Sequence, residues 1–103
     1  MKDFILNENF KYRVFFTSSF KRDYKNIKKQ PNPRLKKLLA VIVLLANDEQ
    51  LPPRFHDHML SGKWANFHEC HISPDWLLVY KKENHNLILT LVRTGTLSEI
   101  FGK

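Results

Sequence analysis

The sequence predicts an α+β fold: one small domain in the order β-α-α-β-β-β, with two N-terminal helices packed on one face of a mostly antiparallel sheet. Three observations carry that prediction. A chain of 103 residues has room for one compact domain. Apolar residues recur at helical spacing through residues 18–47, then alternate or run continuously in short stretches from residue 63 onward. A hydrophobic share of 43% and an aromatic share of 13% supply a core without disulfides, and the lone cysteine, Cys70, could form none within the chain.

Residues 1–10 read as a loosely attached extension before a domain at 11–103. "KYRVFF" (11–16) alternates polar and apolar residues and ends in paired aromatics, the pattern of a strand. Thr17 or Ser18 can cap a first helix, in which Phe20, Tyr24 and Ile27 share one face. "PNP" at 31–33 breaks it, because proline lacks an N–H and restricts the residue before it. A second helix over 33–47 carries Leu35, Leu38, Leu39, Ile42 and Leu45 as one wide apolar stripe, read as core. Residues 47–62, with a Pro-Pro pair and Gly62, form a connecting loop. Strands follow at 63–72, 76–82 and 87–93, separated by "SPD" and "KENHN" turns. The unbroken apolar run at 76–80 marks a central strand covered on both faces. Leu87, Leu89 and Leu91 line one face of the last strand, and "LSEIFGK" closes the chain as a tail.

The formal net charge is +7, and its placement is uneven. Residues 11–37 hold ten Lys or Arg against one acid, Asp23. One basic helix is often only a solvated face, but an excess running through two successive segments favours a polyanion or an acidic protein as partner. The longest apolar run is too short to span a membrane, and the first ten residues lack the pattern of a signal peptide. These features predict a soluble, cytoplasmic protein with no membrane partner.

The densest chemistry lies in "FHECHISPDW" (67–76). A helical zinc site needs two histidines one turn apart, whereas His68-Glu69-Cys70-His71 is one residue short and sits in a predicted strand. Strand alternation turns His68 and Cys70 one way and Glu69 and His71 the other, so no face offers three ligands. No metal and no cofactor are expected. His68 reads by default as a hydrogen-bonded structural residue. His71 leads into a turn carrying Asp75, and His56 and His58 enter the same sheet from the preceding loop. Histidines gathered at one edge of a basic surface suit general acid–base cleavage of a phosphodiester. With RNA the 2′-hydroxyl can be the nucleophile, and Arg93 is a candidate cation for the phosphate.

Three elements in order across 51–101 sharpen this reading: "LPxxxxDHxLxGxW", "ExHxxPDWLLVY" and "RTGTxSxxF". Together they resemble the YafQ branch of the RelE/ParE superfamily of bacterial toxins, and the upstream strand and basic helices fit that RelE-like fold over nearly the whole chain. The resemblance implies a type II toxin that cleaves messenger RNA in the A site of the 70S ribosome without a metal. It also implies a cognate antitoxin of the DinJ/RelB type as inhibitor, with operator DNA reached only through that antitoxin. Carried over by motif, His58 and His71 are the acid–base candidates and Asp75 orients a histidine. Arg93 binds the scissile phosphate, and Phe101 stacks on a base. Lys21, Arg22, Lys25, Lys28, Lys29, Lys36, Lys37, Arg54, Lys63 and Trp76 are the candidate RNA-binding residues.

Two positions depart from the pattern. The family motif usually reads "RTGTH" or "RxGSH", and here the histidine position is Leu97, which cannot transfer a proton. Arginine usually precedes the glutamate of "ExH", and here it is His68. Loss of a general acid–base group lowers a rate by roughly 10²–10⁴-fold, so the chain is expected to keep its fold and partners while cutting weakly or not at all. His68 could stand in partly for the missing histidine. The competing readings are a non-catalytic module binding antitoxin or RNA, and a ParE-like gyrase inhibitor. The latter has no use for the His58, His71 and Asp75 set.

Overall fold

In a computed structural model of the chain, residues 9–29 and 34–102 are described. Most of the expected N-terminal extension (1–8) and the Pro-Asn-Pro break at 31–33 lie outside the described residues. Strand β1 (Arg13–Phe16) leads into helix α1 (Ser18–Lys28) and helix α2 (Arg34–Ala46). Strands β2 (His58–Met59), β3 (His68–Ser73), β4 (Trp76–Glu83) and β5 (Ile88–Gly95) follow, then a short helix α3 (Leu97–Phe101). The sheet order is β1-β5-β4-β3-β2, with β1 parallel to β5 and every other pair antiparallel.

Helix α1 starts where expected because the Thr17 hydroxyl accepts from the Phe20 amide at 3.0 Å, satisfying a donor that the first turn leaves unpaired. Its Phe20, Tyr24 and Ile27 are buried, as are Leu38, Val41, Ile42, Leu45 and Ala46 of α2. Leu35 and Leu39 from the predicted stripe are only half-buried at its margin. Both helices pack on the face formed by Cys70, Ile72, Trp76, Leu78, Tyr80, Leu89 and Leu91. Leu77 and Val79 point to the opposite face, where Ile100, Trp64, Phe67 and Phe101 cover them, so β4 is a central strand buried on both sides.

Four local differences from the sequence reading have identifiable causes. The strand expected from 63 starts only at His68, because Gly62–Trp64 forms a 3-10 turn and Asn66 adopts φ 77°, which a strand cannot hold. Within the expected loop 47–62, His58 and Met59 pair with Glu69 and His68 as an edge strand. Leu87 takes φ 53° in the turn and is exposed, leaving Leu89 and Leu91 to line the core. The expected tail is helical because Thr96 and Glu99 form a reciprocal capping box and Gly102 ends the helix in the left-handed region.

Candidate active site

The β2–β3 pairing assembles the centre of the site. His58 stands opposite Glu69, and His71 lies two residues along β3 on the same face as Glu69. Glu69 is only 7% exposed, and its Oε1 lies 3.6 Å from Nε2 of His58 and 3.6 Å from Nε2 of His71. That separation is ion-pair range, just beyond a hydrogen bond. The Nδ1 of His58 is 2.7 Å from the carbonyl oxygen of His56. A carbonyl can only accept, so Nδ1 carries a proton and Nε2 is the nitrogen left for chemistry. The His56 ring meets the His71 ring edge-on, with centroids 5.6 Å apart. A buried carboxylate flanked by two half-open imidazoles can hold whichever ring is protonated, which is the arrangement a proton donor and acceptor pair needs.

Sheet register extends the row. Glu69 pairs with Val79 and Val79 with Arg93, so His58, Glu69, Val79 and Arg93 occupy one rung across four strands. Three inter-strand steps put roughly 14 Å between the outer backbones. His71, Leu77 and Gly95 form the next rung, two residues before Leu97. Arg93 does not extend into open solvent. Its Nε and Nη2 donate to the Asp23 carboxylate of α1 at 2.7 and 3.2 Å, and Asp23 also accepts from the Thr94 amide at 3.1 Å. The hydrogen bond to Asp23 raises the Arg93 pKa further above its already high value, so the guanidinium is charged throughout. Two of its five donors are thereby used.

The remaining motif residues divide between core and surface. Asp75, in the exposed β3–β4 turn, accepts from Ser73 Oγ at 3.3 Å and Arg34 Nη2 at 3.4 Å. No histidine is among its partners within the described residues, so the expected orienting contact is absent from this arrangement. Trp76, expected on the RNA surface, lies in the core at 8% exposure. Its Nε1 donates to Thr94 Oγ1 at 2.9 Å, and the Arg34 guanidinium covers its ring at 4.7 Å. Leu97, where the motif resemblance leads one to expect a histidine, opens α3 and is 50% exposed. Phe101 packs edge-on against Trp64 at 5.4 Å and is half-buried.

His68 faces the helices, stacked on Tyr80 with ring centroids 5.1 Å apart, on the side away from His58 and His71. It is therefore not placed to replace a histidine at Leu97 by direct contact. Cys70 is fully buried, and burial pushes its thiol pKa up, which removes it as a nucleophile. Lys21, Arg22, Lys25 and Lys28 of α1 and Lys29 at its C-cap are exposed, as are Lys36, Lys37, Arg54 and Lys63. A cleft of about 750 Å³ runs between α2 and the edge of β3, with Lys37, Arg54, His56 and His71 among its lining. Among the described residues no group of three or more His, Cys, Asp or Glu is placed to hold a metal ion. No helix among them is long and apolar enough to cross a membrane.

Two residues of this site were not singled out from the sequence. Glu69 could have been found, because alternation already puts it beside His71 on β3. Asp23 offered one signal, as the single acid in a basic stretch, but its partner is 70 residues away.

Known proteins similar to this chain agree with one another. The mRNA interferase toxin YafQ of Escherichia coli K12 is 31% identical over 89 residues, 86% of this chain and 95% of that protein. The crystal structure of the E. coli DinJ–YafQ toxin–antitoxin complex contains a chain that superimposes with a TM-score of 0.79 at 31% identity, covering 89% of this chain and 99% of that one. A metal-bound toxin from Helicobacter pylori superimposes at 0.78 with 39% identity, over 85% of this chain and 97% of that one. Residues 12–102 match the family model for bacterial toxins of type II toxin–antitoxin systems, YafQ. A RelE-like sheet with two basic helices, the paired histidines on one face and a match over almost every described residue have one explanation: the chain belongs to the YafQ family of type II toxins.

Proposed function

We propose that this chain is an endoribonuclease toxin that cuts messenger RNA in the ribosomal A site and is held inactive by a cognate antitoxin. The observation that carries the reading is the Glu69 carboxylate set between Nε2 of His58 and Nε2 of His71. The relatives named as mRNA interferases and the DinJ-bound YafQ chain support the same reaction class and the same kind of partner.

One imidazole takes the proton of the RNA 2′-hydroxyl, whose oxygen attacks the adjacent phosphorus. The other protonates the departing 5′-oxygen, leaving a 2′,3′-cyclic phosphate. Glu69 stabilises the imidazolium and keeps both rings aimed at one point. The nucleophile comes from the RNA itself, so the scheme calls for no metal. Arg93, steadied by Asp23, offers its remaining donors to the phosphate. The exposed lysines and arginines of α1 and α2 hold the ribosomal and messenger RNA backbones.

Leu97 supports a second, weaker-cutting reading, because an exposed leucine stands where the family carries a histidine. The two are separated by Leu97→His. The engineered histidine is expected to raise ribosome-dependent cleavage by about 10²–10⁴-fold, unaffected by EDTA. Antitoxin binding without cleavage by either form would leave a non-catalytic antitoxin- or RNA-binding module. Inhibition of supercoiling instead would point to a gyrase inhibitor.

A further inference from the structure

The segment that delivers His58 to the site is thinly held. Strand β2 has two residues, His56 before it adopts φ 48°, and the preceding 3-10 turn (Pro53–Phe55) closes only local bonds. Yet His58 must stay opposite Glu69. Between the two histidines sits Asp57, whose side chain goes to the other face of the sheet. There its Oδ1 accepts from the Tyr80 hydroxyl at 2.6 Å and lies 4.0 Å from Nδ1 of His68. Tyr80 is 2% exposed, with the His68 ring stacked on it. Burial and the Asp57 hydrogen bond push the phenol pKa far up, so the hydroxyl keeps its proton and remains a donor.

We propose that Asp57 is the positioning residue of the active site. Its bond to the Tyr80 hydroxyl, roofed by His68, clamps the 56–58 segment to the core and so fixes the His58 ring against Glu69 and His71. The chemistry of the clamp accounts for its parts. An O–H···O⁻ bond at this length is charge-assisted and among the stronger neutral-to-ion contacts a protein makes. Tyr80 is anchored in β4, a central strand buried on both faces, so the clamp ties the two-residue edge strand to the core of the sheet. The inference extends the acid–base role given to His58 above, while its decisive readout does not depend on RNA cleavage.

The test is the ¹⁵N-imidazole spectrum of His58 in the full chain, for Tyr80→Phe, Asp57→Ala and Asp57→Asn beside the parent. In the parent, His58 should show one tautomer with the proton on Nδ1, as its bond to the His56 carbonyl requires. Tyr80→Phe and Asp57→Ala should give a mixture of tautomers or exchange broadening with the amide spectrum otherwise kept. Asp57→Asn should preserve the parental pattern, since its amide oxygen still accepts from Tyr80. An unchanged His58 spectrum in both Asp57→Ala and Tyr80→Phe overturns the proposal. Should Tyr80→Phe fail to fold, Asp57→Ala decides alone, because Asp57 lies at the surface. In a Leu97→His background the clamp variants should lower kcat by roughly 10–100-fold with KM nearly unchanged. If that background does not cut RNA, the functional reading fails while the spectrum still judges the clamp.

Discussion

Asp23 is the sole acid among residues 11–37, and the structure gives it three bonds to make, so Asp23→Ala should be among the most destabilising substitutions on the surface of α1. Its side chain is 10% exposed and that of Arg93 is 21% exposed, so the pair is mostly withdrawn from water. Removing one partner of a buried pair typically costs about 3–5 kcal/mol. Arg93 keeps enough exposure to turn partly to solvent, which argues for the lower end. The Thr94 amide also loses its acceptor, a loss of roughly 1–3 kcal/mol when water cannot replace it. The two losses overlap at one site, so about 3 kcal/mol is expected in urea unfolding. For a domain of this size that is a fall in Tm of roughly 12–24 °C. Arg93→Ala should cost less, because Asp23 then still accepts from Thr94. A double-mutant cycle should return a coupling above about 1 kcal/mol. A loss below about 1 kcal/mol for Asp23→Ala, or the reverse order of the single variants, would refute the reasoning.

Glu69→Gln should lower cleavage in the Leu97→His background by about 10–100-fold, since the amide cannot hold an imidazolium. Its urea midpoint should stay level or rise, because a desolvated charge has been removed; a joint loss of stability and activity would count against that role. Trp76→Phe should destabilise by roughly 1–3 kcal/mol, through loss of the Thr94 bond and of ring area under Arg34, with RNA affinity unchanged. Asp48 bridges Lys11 and Lys82 at 2.8 and 2.6 Å, and hydrogen bonds from those ammonium groups lower its pKa from 3.8 to about 2. A carboxyl depressed in the folded state stabilises above its unfolded value and loses that contribution as pH falls through the folded one. The Asp48 carboxyl carbon should therefore titrate with a midpoint near pH 2, and any stability gap to Asp48→Asn should close between about pH 4 and 2.

What could be read from the chain was whatever depended on short-range periodicity. The helical spacing of Phe20, Tyr24 and Ile27 and the unbroken run from Trp76 to Tyr80 each report their own burial, and both are buried as that spacing requires. Elements set by chemistry at their ends were less visible. The helix Leu97–Phe101 depends on a capping box whose Thr96 and Glu99 look like ordinary tail residues until they bond each other. Strand β2 has only two residues and no pattern of its own; it exists because β3 offers an edge.

The histidine cluster shows the same division at the level of function. Alternation along His68–His71 sorts the four side chains onto two faces, and that much is local. What each face does depends on partners brought from elsewhere. On one side His58 arrives from β2, and Glu69 becomes the hinge between two imidazoles. On the other, Asp57, the residue just before β2, binds Tyr80 beneath His68. Adjacent residues thus cross the sheet edge to opposite sides, His58 toward Glu69 and Asp57 toward the core. The geometry of the first is therefore only as firm as the anchorage of the second. A sequence motif reading Asp-His records the pair, but only the folded edge shows the aspartate bonded to Tyr80 on the side away from the histidine's partners.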